Sequence, residues 1–351
     1  MGFAPVVKVK CQLTCWQTIT DRGAMATIHD VAKLAGVSTS TVSRVLSRSR
    51  AVHPESARKV IAAAEQLGYR YNAVARALRT QKSGTIGMLV PQISNPFFPA
   101  LVEAVERRLA REGLELFLCD SQRDVDVEAR RLRALVERQV DGVIISPYDL
   151  TASVPAVRAL VGQLPIIQVD RRVDGALTDW VGVDDAAGFA QVVDHLVAVG
   201  RRRLVFVSSE LTNYSAQARL DAVNAALRRH GLSAAQAPLL GNFEVEWGLA
   251  AAGQIDLEAV DGIVCGNDAI ALGVLRRLRQ RGATVPGDVA VTGFDDISFA
   301  AIADPPLTTV RQQWDAMADE CVRLLLEPAG HGPRSIAITP TLQVRESTPR
   351  R

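Results

Sequence analysis

Apolar positions follow two rhythms along the chain. From residue 27 to residue 67 they recur at helical spacing in three short bursts, whereas beyond residue 84 they form continuous strand-like runs separated by amphipathic stretches. Ile28, Val31, Ala32 and Ala35 share one helix face; Thr27 caps that helix through its hydroxyl, and Asp30 suits its first turn. Gly36-Val37 breaks it and Ser38 caps a second helix, whose inner face is Val42, Val45 and Leu46 and whose outward face is Thr39, Ser40, Ser43 and Arg44. A third helix runs from Pro54 to Leu67 on a stripe of Ala57, Val60, Ile61, Ala64 and Leu67, and Gly68 ends it. A last short stretch, Tyr69 to Thr80, reads as an Ala-rich helix capped by Asn72. It is too short to persist in water without a partner.

Beyond residue 84, strand-like runs fall at Thr85–Pro91, Leu114–Cys119, Gly142–Ser146 and Pro165–Val169, with helices near 97–111, 124–138 and 152–162. A second set at Val181–Val183, Leu204–Ser208, Gly262–Cys265 and Val289–Thr292 alternates with helices near 186–199, 215–230, 244–254, 268–281 and 298–303. Such alternation predicts two parallel sheets covered on both faces, with a ligand cleft outside the carboxyl ends of their strands. The chain is expected to cross back at Leu307–Val310, so that a helix near 311–326 and a strand near 335–339 complete the first subdomain. Carboxylates, amides and aromatics gather at the strand ends, a mixture that suits a polyhydroxylated ligand. Asp184, Asp268 and Asp296 also stand where helix caps would, and Asp184 reads as a cap outright.

Charge sharpens this division. Residues 25–84 carry ten Lys/Arg against three Asp/Glu, although the whole chain is only +2, so residues 85–351 are acidic by seven charges. A basic head on an acidic body points to phosphate contact by the head alone. The five cysteines, at 11, 15, 119, 265 and 321, are scattered and read as reduced thiols rather than a disulfide framework or a metal site. No apolar run is long enough for a membrane span. There is no phosphate-binding loop, dinucleotide fingerprint or nucleophile elbow, and the five histidines form no ligand pair, which argues against an enzyme and against a bound cofactor. His195 reads as structural.

Two long stretches carry a resemblance. Ile28-His29-Asp30-Val31-Ala32-Lys33-Leu34-Ala35-Gly36-Val37-Ser38 and Thr41-Val42-Ser43-Arg44-Val45-Leu46 resemble the signature of the lactose/galactose repressor family of bacterial transcription regulators. Asn95-Pro96-Phe97-Phe98, Val169-Asp170-Arg171, Asn267-Asp268, Val285-Pro286-Gly287-Asp288-Val289, Gly293-Phe294-Asp295-Asp296 and Leu307-Thr308-Thr309-Val310 match its sensor domain in order. The resemblance implies an all-α helix-turn-helix head and an α/β sensor of two doubly wound subdomains, like periplasmic sugar-binding proteins. It implies base reading by Thr39 and Ser40 in the major groove, with backbone or mixed contacts from Ser38, Ser43 and Arg44. It further implies a hinge helix capped by Asn72, with Leu78 wedged into the minor groove. Effector contacts would be Phe98, Asp170, Arg219, Phe243, Asn267 and Asp295, with Trp247 a further aromatic that packing explains equally well.

Three positions depart from the family pattern: Tyr71 replaces a proline, Ala222 a glycine, and Gln312-Gln313-Trp314 a Gln-Pro pair. The expected domains are a disordered tail or mis-assigned start at 1–26, the head at 27–70, hinge and linker at 71–83, and the sensor at 84–342. Within the sensor, the first subdomain is 84–182 plus 311–342 and the second is 183–310. The expected protein is a cytoplasmic, homodimeric repressor of pseudopalindromic double-stranded operator DNA, controlled by a small effector, a sugar or sugar derivative. A solute-binding protein or sugar-processing enzyme on the same scaffold is the alternative.

Overall fold

The computed structural model describes residues 26–47, 52–69, 82–175, 177–327 and 332–349. The chain divides into two compact units, residues 1–78 and 79–351.

The first unit contains three helices, α1 (Ile28–Ala35), α2 (Thr39–Ser47) and α3 (Pro54–Gln66). Thr27 and Asp30 form a reciprocal capping box, and Gly36 closes α1 at φ 66°, a conformation that glycine adopts without steric cost. Val31, Ala32, Ala35, Val42, Val60, Ala63 and Ala64 make the core. Two expectations fail here. Ile61 is 47% exposed, its place in the stripe taken by Ala63, and Ser43 is buried rather than outward. A core built mainly on alanine brings the helices close, which leaves no room for Ile61 and draws the small Ser43 inward.

The second unit holds two parallel sheets. Strands β1 (Thr85–Val90), β2 (Glu115–Asp120), β3 (Gly142–Ile145), β4 (Ile166–Val169), β5 (Asp179–Val183) and β11 (Ser335–Ile338) form one sheet in the order β11-β5-β4-β3-β1-β2. Strands β6 (Leu204–Ser209), β7 (Leu239–Gly241), β8 (Gly262–Cys265) and β9 (Ala290–Thr292) form the other in the order β7-β6-β8-β9. The strand beginning at Val181 therefore belongs to the first sheet, paired with Val169 of β4 and Ile336 of β11, and not to the second set. Helices α4 (Phe97–Arg111), α5 (Val125–Glu137), α6 (Val154–Leu160) and α11 (Trp314–Leu326) cover the first sheet. Helices α7 (Asp185–Ala198), α8 (Tyr214–Arg229), α9 (Val245–Ala251) and α10 (Asp268–Gln280) cover the second. The helix expected at 298–303 shrinks to a single 3-10 turn, Ala300–Ile302.

Three crossings join the lobes: the β5–α7 junction, β10 (Thr309–Arg311), and β12 (Thr341–Gln343), the last two pairing antiparallel. The fold runs past the expected boundary at 342. Ser347 is fully buried, donates its amide to Pro306 and accepts that of Val291, while Thr348 Oγ1 lies 2.8 Å from His195 Nε2. His195 is thus a structural group that helps hold this segment.

Candidate functional site

In the head, Ser38 caps α2 by accepting the Thr41 amide at 3.2 Å, and its hydroxyl lies 2.7 Å from that of Ser40. Ser38, Ser40 and Arg44 are exposed and Thr39 half-buried, so α2 presents short hydroxyls at its start and a cation in its last turn. Ser43, in the core, is not on that surface. Asn72, Leu78 and the hinge helix expected around them lie outside the described residues, as does Tyr71.

In the second unit, strand order reverses between β1 and β3 in one sheet and between β6 and β8 in the other, which opens a crevice beyond each pair. The two crevices meet in a cavity lined from the first lobe by Gln92, Asn95, Phe98, Tyr148 and Arg171. Ser209, Asn213, Asn242 and Phe243 line it from the second. Glu244 spans the mouth, 2.7 Å from Arg123 Nη1 and 3.3 Å from Gln92 Nε2, and the Leu150 amide donates across to Thr212 at 2.8 Å.

Of the six expected effector residues, Phe98 and Phe243 line this cavity. Asp170, Arg219 and Asp295 form a buried cluster that does not line it. Arg219 projects from α8, held in place by the Asn213 cap at its start. Its Nε donates to Asp185 at 3.1 Å, its Nη1 to the Gly266 carbonyl at 2.6 Å, and its Nη2 lies 3.6 Å from Asp295. Its Cζ sits 4.3 Å from the Phe294 ring centroid, a cation–π contact beneath the ion pairs. Asn267 is committed elsewhere: its Oδ1 caps α10 by accepting the Ile270 amide at 2.9 Å.

Burial raises all three carboxyls that face Arg219. Asp295 is pushed to about 7, with Arg219 and the Gln312 amide opposing the rise, and Asp185 to about 6 with Arg219 again opposing. Asp170 is raised as well, against the pull of Arg171, Arg219 and the Ser215 hydroxyl. Burial lowers Arg219 in turn, but Asp185, Asp295 and Asp170 together hold it above the ordinary arginine value. Asp170 and Asp295 also adopt positive φ, 60° and 108°, so both side chains leave their strand ends on sharp backbone turns.

Several contributors had no individual role assigned from sequence. Asp185 counts among the polar strand-end residues next to the cap Asp184, and a cap needs only one acid; Asp184 accepts the Ala187 amide at 2.9 Å. Gln312, one of the departures, donates to Asp295 at 2.7 Å and so ties a crossing strand to the cluster. Neither Asp268 nor Asp296 is a helix cap. Asp268 accepts the Thr309 hydroxyl at 2.5 Å and the Ile297 amide at 2.9 Å. Asp296 pairs with Arg311 and Arg345, each at 2.6 Å. Trp247 packs, donating its indole N–H to the Ser208 carbonyl. Among the described residues no group of His, Cys and acidic side chains could hold a metal ion, and no helix is long and apolar enough to cross a membrane.

A family model for bacterial regulatory proteins of the lacI family matches residues 27–72, and one for a periplasmic binding protein-like domain matches residues 193–348. The HTH-type transcriptional repressor PurR of Photobacterium profundum is 32% identical over 329 residues, covering 92% of this chain and 98% of the relative. The chain belongs to the lacI family of bacterial regulatory proteins.

As a member of that family it is a DNA-binding transcriptional regulator, and the lacI-family match falls on the helix-turn-helix. The ribose operon repressor of Escherichia coli (strain K12) is 33% identical, covering 92% of this chain and 100% of the relative. Among solved structures, the lac repressor dimer bound to operator and the anti-inducer ONPF superposes with a TM-score of 0.80 at 26% identity, over 92% of this chain and 99% of that one. A complex of the transcriptional regulator CelR with cellobiose gives 0.69 at 29% identity, over 92% and 99%. The two-part architecture of helix-turn-helix head and periplasmic-binding-protein-like sensor is that of the family.

Proposed function

We propose that this lacI-family regulator is a homodimeric repressor whose operator affinity is set by a sugar or sugar derivative held between its two lobes. The observation that carries the reading is the buried Arg219 cluster. It joins α8 and the β5–α7 junction to the end of β4, and through Asp295 and Gln312 it is bonded to a strand that crosses between the lobes. A ligand against Phe98 and Phe243 would bear on that cluster and on the crossing together, which is how occupancy reaches the first lobe. The ribose and cellobiose named for its relatives support a polyhydroxylated effector.

DNA contact falls to Thr39 and Ser40 for bases and to Ser38 and Arg44 for the backbone. The resemblance alone assigns Asn72 and Leu78, outside the described residues, to DNA contact, and two heads read the half-sites of a pseudopalindrome. Exposed Phe117 and Leu118 on the edge strand β2 are consistent with a self-association face. The protein acts in the cytoplasm without catalysis.

The test is selection of a binding site from random duplexes with the full chain, then anisotropy titration of that site with and without D-ribose, cellobiose, D-xylulose, D-gluconate and D-ribose 5-phosphate. A palindromic site whose affinity changes at least about tenfold with one of these is expected. Recovery of no specific site, or an affinity blind to every sugar and sugar derivative in the panel, would overturn the proposal. Leu78→Ala should weaken the selected site by more than about tenfold with sugar affinity unchanged.

A further inference from the structure

One carboxylate holds the chain where it enters the first sheet. Ser83 and Gly84 are the two residues ahead of β1, and their successive amides donate to Asp141, 2.7 Å to Oδ1 and 2.8 Å to Oδ2. The Ser83 hydroxyl adds a bond to Oδ1 at 3.1 Å. Gly84 has φ 73°, a left-handed turn that brings both N–H groups onto the same anion. Its carbonyl accepts the Glu115 amide at the start of β2, at 2.9 Å. Bonds to a carboxylate are roughly twice as strong as bonds between neutral groups, so the last residues before β1 are gripped firmly.

The second lobe carries the same device. Val140-Asp141-Gly142 stands at the start of β3, and Val260-Asp261-Gly262 at the start of β8. Asp261 accepts the amides of Arg202 and Arg203, at 3.0 and 2.8 Å, just ahead of β6. In both lobes the aspartate secures the approach to the neighbouring strand, β1 beside β3 and β6 beside β8. The difference lies in what is held. Arg202 and Arg203 belong to the turn between α7 and β6, within one lobe, whereas Ser83 and Gly84 end the covalent path from the head.

Strand β3 carries that grip to the cavity. It is buried along its whole length and paired with β1 and β4. Asp141 immediately precedes it, and Tyr148, three residues past its end, lines the cavity. The Tyr148 amide donates to the buried Glu128 carboxylate at 2.8 Å, which ties this loop to the lobe. A packed strand fixed at both ends moves as a unit, so a displaced cavity wall reaches Asp141.

Resting on the reading that the sensor sets operator affinity, we infer that Asp141 is the positioning residue through which the first lobe grips the linker and passes its state to the DNA-binding head. Asp261 is its architectural counterpart and takes no part in that transfer.

The experiment is hydrogen exchange of the full chain with and without a saturating amount of the operator duplex selected above, because a sensor that alters DNA affinity is itself altered by DNA. In the wild-type chain the duplex should slow exchange about threefold or more at residues 83–85 and in the cavity loop 146–150. Asp141→Asn turns one acceptor oxygen into a donor that faces an amide. Its head should still be protected by the duplex across residues 28–66, while the response at 146–150 is lost. Asp261→Asn should keep that response. Unchanged exchange in β4 establishes that the first lobe of Asp141→Asn is folded; should it have lost its fold or its operator, Gly84→Ala, which strains the same turn from the other side, carries the test with the same expected loss. A response that persists without the clamp, that disappears equally in Asp261→Asn, or that is absent from the wild-type chain overturns the assignment to Asp141. The sugar titration above judges the effector reading separately, so a chain that answers to sugar with the clamp broken keeps that reading and loses this one.

Discussion

Arg219 Nε lies 3.1 Å from Asp185 Oδ1, a contact between two side chains that are each more than nine-tenths buried. Within the same cluster Asp295 and Asp170 compete for the one guanidinium. A buried ion pair adds little net stability against an apolar replacement of both partners, but deleting one partner strands the other in a medium that cannot solvate it. Arg219→Met should therefore destabilise the second unit by about 3–5 kcal/mol, read as a lower urea midpoint with an unchanged slope. A loss below about 1 kcal/mol would show that the cluster is wetter than its burial implies.

The same crowding makes stability fall as the solution becomes more alkaline. Asp185 and Asp295 are raised to about 6 and about 7, whereas in the unfolded chain both titrate near 3.8. Between about pH 4 and pH 7 the folded chain holds protons that the unfolded chain has released, so each group takes away stability as pH rises through that window, at most about 1.4 kcal/mol per pH unit. Asp295→Asn, which keeps the neutral form, should flatten the dependence. Urea midpoints at pH 5, 6, 7 and 8 for both proteins would decide it, parallel curves counting against the assignment.

Thr309 is fully buried on the crossing strand and donates a hydrogen bond from its hydroxyl to Asp268, an acid that burial raises well above its ordinary range. Thr309→Val keeps the shape and removes the donor, so a loss of about 1–3 kcal/mol is expected. Thermal unfolding of the two proteins side by side measures it. A neutral substitution would mean that the Ile297 amide alone satisfies the carboxyl.

In the head, Ser38→Ala removes the acceptor of the Thr41 amide and should cost about 1 kcal/mol of local stability. Hydrogen exchange across residues 28–66 of the full chain should rise roughly fivefold, in step with that free energy, while exchange in β1 and β6 stays constant.

The two-rhythm apolar pattern made nearly all of the architecture legible, because continuous runs bounded by helices have few packings other than parallel sheets. Short or weakly apolar strands were harder: Leu239–Gly241 and Thr341–Gln343, three residues each, carry no periodicity and exist through their neighbours. Strand Asp179–Val183 was visible but assigned to the wrong sheet, since nothing local says which side of a crossing a strand will join. In the site, Phe98 and Phe243 were found by motif and lie on the cavity wall. Arg171 and Asp185 stand among the polar residues at the strand ends, beside neighbours whose individual roles were easier to name. For Asp268 and Asp296 a cap stayed open as one reading, because a helix start explains an acid cheaply, and only the fold shows that their partners come from residues 297–345.

Arg345, Ser347 and Thr348 complete the second lobe through Asp296, Val291 and His195, after the chain has left it to lay the strand Ser335–Ile338 in the first. Both lobes consequently wait on residues 335–348. A ribosome that stalls, or a nonsense codon that stops the chain just ahead of Arg345, leaves the second lobe lacking its closing stitch. Loss-of-function alleles should therefore include terminations at that point, far from any codon that specifies contact with DNA or ligand.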